Sequence, residues 1–143
     1  MGGKKEHLTR SPIKTEPIYV LKEFKKNIGG TPDSVRKNYV YYSTFSNSEK
    51  DEGNAKYLKV IPVRIYNDVG CYWWLTNRSE DLYDMNALDQ SAMINFLHRI
   101  GNEKGEFINA YGKGYRLDGT RHPHSWSIVD AIECINWIKK CLK

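Results

Sequence analysis

Two apolar stripes of helical period bracket a glycine-rich cationic stretch, and this arrangement constrains the fold most. In the first, residues 86–100, Leu88, Ala92, Met93, Phe96, Leu97 and Ile100 recur three and four positions apart, which puts them on one helix face. Asn86 is a candidate N-cap, Asp89 suits the positive end of the dipole, and Gly101 ends the pattern. In the second, residues 127–142, Ile128, Ile132, Ile135, Ile138 and Leu142 form the side expected to be buried. Ser127 and Asp130 resemble a capping box, Trp126 and Ala131 a hydrophobic staple, and Lys139, Lys140 and Lys143 sit at the negative end.

The rest of the chain reads as a small sheet. Residues 39–45 and 56–66 are rich in Tyr, Val and Ile and alternate in character, although Pro62 confines the second run to an edge or a bulge. The turn Asn67-Asp68-Val69-Gly70 returns the chain through Cys71–Thr76, so residues 57–76 are expected to form an antiparallel hairpin. Alternation there places Trp73 on one face, and Tyr72 and Trp74 on the other. Residues 106–111 form another strand, with 115–117 as its return. Residues 17–28 fit a helix, with Pro17 at the start and Gly29-Gly30 as a stop, but the β-branched and aromatic run Ile18-Tyr19-Val20 argues for a strand, and the choice stays open with helix favoured. The expected fold class is α+β: a small antiparallel β-sheet with two amphipathic helices packed on one face and an extended basic N-terminal arm. The arm covers residues 1–15, and residues 16–143 make one domain.

The 143 residues can bury a core without disulfides or a metal. Three cysteines cannot all pair, and Cys134 and Cys141 lie about 10 Å apart along a helix, too far for a mutual bridge. Free thiols, no apolar run of membrane-spanning length and no recognisable leader point to a soluble, cytoplasmic chain without membrane contact. The charge is uneven. Residues 1–37 hold nine Lys and Arg against four Asp and Glu, whereas the remainder holds thirteen of each. A basic arm on a neutral body suits nucleic acid or an acidic protein surface, or serves as a solvated tail.

Candidate chemistry concentrates in residues 110–126. Gly112-Lys113-Gly114-Tyr115-Arg116-Leu117 offers flexible backbone, two cations and a ring, as a phosphate cradle would. A tight turn needs the same glycines. The hexapeptide resembles the wing of response-regulator winged-helix DNA-binding domains, which also follows a helix and a strand. The resemblance implies DNA contact by the wing. It stops at Leu117, since this chain adds a further helix, and helix 86–100 carries Arg99 alone among basic side chains other than His98. Arg121-His122-Pro123-His124 precedes the last helix, whose N-terminus favours an anion. The two histidines could share a metal or move a proton, but no further ligand and no nucleophile stands at diagnostic spacing, so no metal, cofactor or catalytic residue is assigned.

These patterns favour a non-enzymatic binding module for an anionic partner, a nucleic acid or a phosphate-bearing nucleotide. Lys113, Tyr115, Arg116, Arg121, His122, His124 and Trp126 form the candidate ligand-binding set, with Arg116 and Arg121 expected to converge near the helix start. Two alternatives stay open. One is a protein–protein module, a subunit or inhibitor of a larger assembly, using the arm and the Tyr and Trp rings. The other is a histidine-dependent nuclease or phosphoesterase. Self-association is left open as well.

Overall fold

The structure, a computed structural model, describes residues 15–82 and 85–143, without the side chains of residues 15–18. The expected arm therefore lies outside the described residues up to residue 14. Helix α1 spans Thr15–Ile28 and stops at Gly29, whose left-handed backbone (φ 91°) carries an N–H bonded to Lys25 O. The helix anticipated at residues 17–28 is present and starts slightly earlier.

The next segment corrects the expected strand at residues 39–45. It is helix α2, Arg36–Tyr42. Its β-prone residues are overruled by contacts made from elsewhere in the chain. The Tyr39 hydroxyl donates to Gly30 O, and Asn54 Nδ2 donates to the carbonyls of Val40, Tyr41 and Ser43, closing the helix's C-terminal end. A 3-10 segment, Lys50–Leu58, follows; it is broken where Asp51, Glu52 and Gly53 adopt positive φ.

Strand β1 is Val63–Asp68, beginning directly after Pro62, so the expected strand at 56–66 is shortened and shifted. Asn102 explains the shift, because its side-chain amide donates to Leu58 O and Ile61 O and folds the preceding residues into a turn. The anticipated antiparallel hairpin does not form. After β1 the chain enters helix α3, Cys71–Arg78, and then helix α4, Ala87–Arg99, before strand β2, Gly105–Ala110. The described sheet has two strands, β1 and β2, paired parallel with Val63 opposite Gly105 and Asp68 opposite Ala110. A parallel pair requires such a crossover. Helix α5, Ala131–Cys141, closes the chain. Among the described residues, the antiparallel sheet with two helices on one face is thus replaced by five α-helices and a two-stranded parallel sheet, with α4 packed on both strands.

The core lies under α4. Met93, Ile94, Phe96 and Leu97 are buried with Ala55 of the 3-10 segment, and Val63, Ile65 and Phe107 of the two strands pack against them. Two details of the α4 expectation change. Asn86 makes no side-chain cap bond, and Leu88 points to solvent while Ile94, outside the expected stripe, is buried. Gly101 ends the helix as expected, with the N–H of Asn102 reaching back to Leu97 O. No described helix is long and apolar enough to cross a membrane. The three cysteines are free thiols, with Cys71 exposed and Cys134 and Cys141 half-buried.

The last helix differs most in orientation. It begins at Ala131, not at 127, because Ser127 is committed elsewhere. The Ser127 hydroxyl donates to Tyr115 O and accepts the Tyr115 N–H, leaving Trp126–Ile128 as a short 3-10 turn. Asp130 is the N-cap, its Oδ1 accepting the Glu133 N–H at 3.0 Å. The stripe expected to be buried is exposed at Ile132, Ile135, Ile138 and Leu142. The helix is held through its other side, where Arg64 of β1 bonds Glu133 and the Trp137 indole N–H donates to Glu106 Oε1.

Candidate functional site

The parallel pairing brings the ends of β1 and β2 together, and both following segments leave from there. Open parallel sheets place ligand sites at this edge. Its anchor is Asp68, the last residue of β1, whose side chain is fully buried. Both carboxylate oxygens accept from Arg121 Nη2, at 3.2 and 3.0 Å, and Oδ2 also accepts the Lys113 N–H at 2.9 Å. One carboxylate thus fixes two points of the 111–126 segment against the sheet. Gly70 makes room for it, since a Cβ there would lie 3.1 Å from Arg121 Nη2 and 3.2 Å from Asp68 Oδ1.

Within the segment, residues 115 and 121 form an antiparallel bridge. The Arg116 N–H donates to Thr120 O and the Gly119 N–H to Arg116 O, making a tight turn with Leu117 and Asp118 at its tip. This corrects the expected pairing of 115–117 with 106–111: the hairpin closes on residue 121. Asp118 accepts from the Thr120 hydroxyl and N–H, which holds its carboxyl below the ordinary range, with Arg116 adding to the effect. Gly114 is required by contact as well as by conformation. Its φ is 86°, and a Cβ would stand 2.7 Å from His122 O and 3.0 Å from Pro123 Cα.

Helix α3 supplies the aromatic floor. Tyr72, Trp73 and Trp74 lie on a helix, so the expected alternation across a strand is replaced by a helical rotation. Tyr72 is exposed and Trp74 is buried. The Trp74 ring lies 4.6 Å from His124 and 6.0 Å from His122, and Trp73 lies 5.2 Å from His122 in edge contact. The nitrogens Trp74 Nε1 and Arg121 Nε are buried without a hydrogen-bond partner.

Comparison with known proteins finds no matching family model, no matching curated protein and no matching solved structure. Function rests on the residues themselves.

The structure sorts the candidate residues into two groups. Arg121 turns inward to Asp68 and serves the framework, whereas His122 and His124 both pack against the tryptophans. Arg116 and Arg121 therefore have different tasks, and the α5 N-terminus already holds the Asp130 carboxylate. Tyr115, Arg116, His122, His124 and Trp126 border an open groove of about 410 Å³, together with Leu117, Ser125 and Ser127. Trp126 is 89% exposed, an unusual state for the largest side chain. Lys113 is exposed, with its backbone N–H engaged by Asp68. Sequence reasoning missed Asp68, read there as a turn residue, and did not connect Trp73 and Trp74 with the histidines. No local signal marks either link, because both span the crossover.

Proposed function

We propose that the 111–126 segment binds an anionic, ring-bearing partner, and that this partner is single-stranded nucleic acid. The observation that carries the reading is Trp126, whose indole is almost wholly exposed at the rim of the groove. An exposed indole beside a half-exposed Tyr115 ring offers stacking surface for bases, and Arg116, Lys113 and His124 offer donors to phosphates. Arg121 and Asp68 support the reading indirectly, by holding the segment rigid so that less order is lost on binding. The excess charge of residues 1–37 adds long-range attraction.

Fluorescence anisotropy with a labelled single-stranded oligonucleotide tests this. Trp126→Ala is expected to weaken binding by about 1–3 kcal/mol, roughly 5- to 150-fold. Arg116→Ala should weaken it less and flatten the dependence of log K on log salt. A free nucleotide that competes at low concentration, with a shallow salt slope, would favour the phosphate-bearing nucleotide over a polynucleotide. Absence of binding to either at low salt overturns the proposal. A protein–protein role is the second reading, favoured by exposed Tyr19, Leu21 and Phe24 on α1.

A further inference from the structure

Helix α5 presents two unlike sides. Glu133 and Trp137 face the sheet through Arg64 and Glu106, and Cys134 shares a hydrogen bond with the Tyr66 hydroxyl. At about 3.6 residues per turn the capping Asp130 falls on this same side, so both acids of the cap and helix are turned toward the sheet. The outward side carries Ile132, Ile135, Ile138 and Leu142, all exposed, and its charges are those of lysines alone. Lys139 stands within the aliphatic strip, and Lys140 and Lys143 stand on one flank of it. Lys104 reaches the other flank, where its Nζ donates to Cys141 O at 3.4 Å. Large aliphatic side chains in a row on a solvent-facing helix require a cover.

We propose that this face rests on a lipid bilayer surface carrying anionic headgroups, with α5 lying in the membrane plane. Charge and composition together select this cover. A second copy would bring two lysine-flanked faces against each other, whereas anionic headgroups attract every charge the face carries. Nucleic acid supplies negative charge but no apolar layer for the isoleucines. Protein interfaces concentrate Trp, Tyr, Met and Arg at their centre and are depleted in Lys. An interfacial helix instead sets aliphatic side chains at the acyl boundary, with lysines whose stems follow the apolar surface while their ammoniums reach the headgroups. Ile, Leu and Lys make up this face. The absence of a membrane-spanning run does not bear on such a contact, because a helix lying on the surface needs none. The aliphatic strip is comparable in scale to a single acyl chain, which alone gives only marginal attachment, so binding is reversible and requires the lipid charge as well.

The inference does not rest on nucleic-acid binding, and the experiment contains no oligonucleotide. The full chain should co-sediment with vesicles of phosphatidylcholine and roughly 30% phosphatidylserine, and bind vesicles of phosphatidylcholine alone at least about tenfold more weakly. Ile132→Gln combined with Leu142→Gln removes apolar surface without changing charge, and should weaken binding to the anionic vesicles at least about tenfold. Lys139→Glu should weaken it by a similar factor, as should raising salt from about 0.1 M to about 0.5 M. Circular-dichroism melting without lipid should be unchanged at these exposed positions. Ile135→Gln repeats the apolar test at mid-helix should the double variant melt early. Binding that ignores the Gln substitutions is adsorption through the basic residues 1–37 and overturns the proposal. Equal binding to both kinds of vesicle overturns it too. So does a chain that ignores the anionic vesicles at low salt, which leaves an acidic protein surface as the cover.

Discussion

Arg64 and Arg121 both fasten a C-terminal element to strand β1, and the solvent exposure of their ion pairs is reversed. At Arg64 the cation is hidden and the anions are wet. Its side chain is 7% exposed, while those of Glu106 and Glu133 are 38% and 51% exposed. At Arg121 the anion is hidden, with Asp68 at 0%, and the cation keeps 22% exposure. The first site adds a Trp137 ring 4.5 Å from the guanidinium and the Tyr66 hydroxyl at 3.1 Å. Burial there disfavours the cation, but hydrogen bonds from the guanidinium to Tyr66, Glu133 and Glu106 outweigh it and raise the Arg64 pKa. The difference teaches which partner each clamp can lose. A charge stranded near water can hydrate, whereas one stranded in the interior cannot.

The largest effect is therefore expected from Arg121→Met, which strands the Asp68 carboxylate. Chemical denaturation should show a loss of about 3–5 kcal/mol, with hydrogen exchange accelerated across residues 111–126. A loss below that of Arg64→Met would break the comparison. Gly114→Ala comes next. It strains a positive-φ residue and forces a methyl against His122 O and Pro123, so a loss of about 2–3 kcal/mol is expected by the same measurement. Arg64→Met should cost about 1–2 kcal/mol, because Glu106 and Glu133 can turn to solvent. Limited proteolysis should then release α5 before the 111–126 segment.

The smallest effect is one of pH. Burial, first among the causes, pushes the Tyr66 phenol up to about 12; hydrogen bonds with Cys134 and Glu133 add to this, while Arg64 opposes it. A folded-state pKa above the unfolded value of about 10 means that the folded form holds the proton longer. Stability from Tyr66 is intact below about pH 10 and is lost as pH rises from about 10 through 12. Tyr66→Phe should remove that part of the alkaline slope, read by denaturation at stepped pH, while Arg121→Met leaves it in place.

Much of the helical content was legible in the sequence because its signals are local. Gly29 and Gly101 stop α1 and α4, and the spacing of Met93, Phe96 and Leu97 marks a buried face, whereas the cap expected at Ser127 is found at Asp130. Local signals failed where a distant residue decided the outcome. Residues 39–45 look strand-like, but Asn54 closes them as a helix. Residues 71–76 look like a hairpin partner, yet the chain turns into α3 at Gly70, and Trp74 is buried beside His122 and His124. The candidate site divides in the same way. Its glycines, cations and rings are contiguous and were visible, while the inward turn of Arg121 depends on Asp68, far away along the chain.

By itself the sequence determined which segments carry helical periodicity, where several of them stop, and that residues 111–126 concentrate glycine, cations and rings. Tertiary structure alone decided that the strands run parallel, that Arg121 is a structural cation and Arg116 an exposed one, and that the apolar stripe of α5 faces outward. The physical reason is that periodicity tells which side chains share a face, but not what that face will meet. At α5 the competition is won by Arg64, which draws Glu133 and Trp137 toward the sheet and leaves Ile132, Ile135 and Leu142 in solvent.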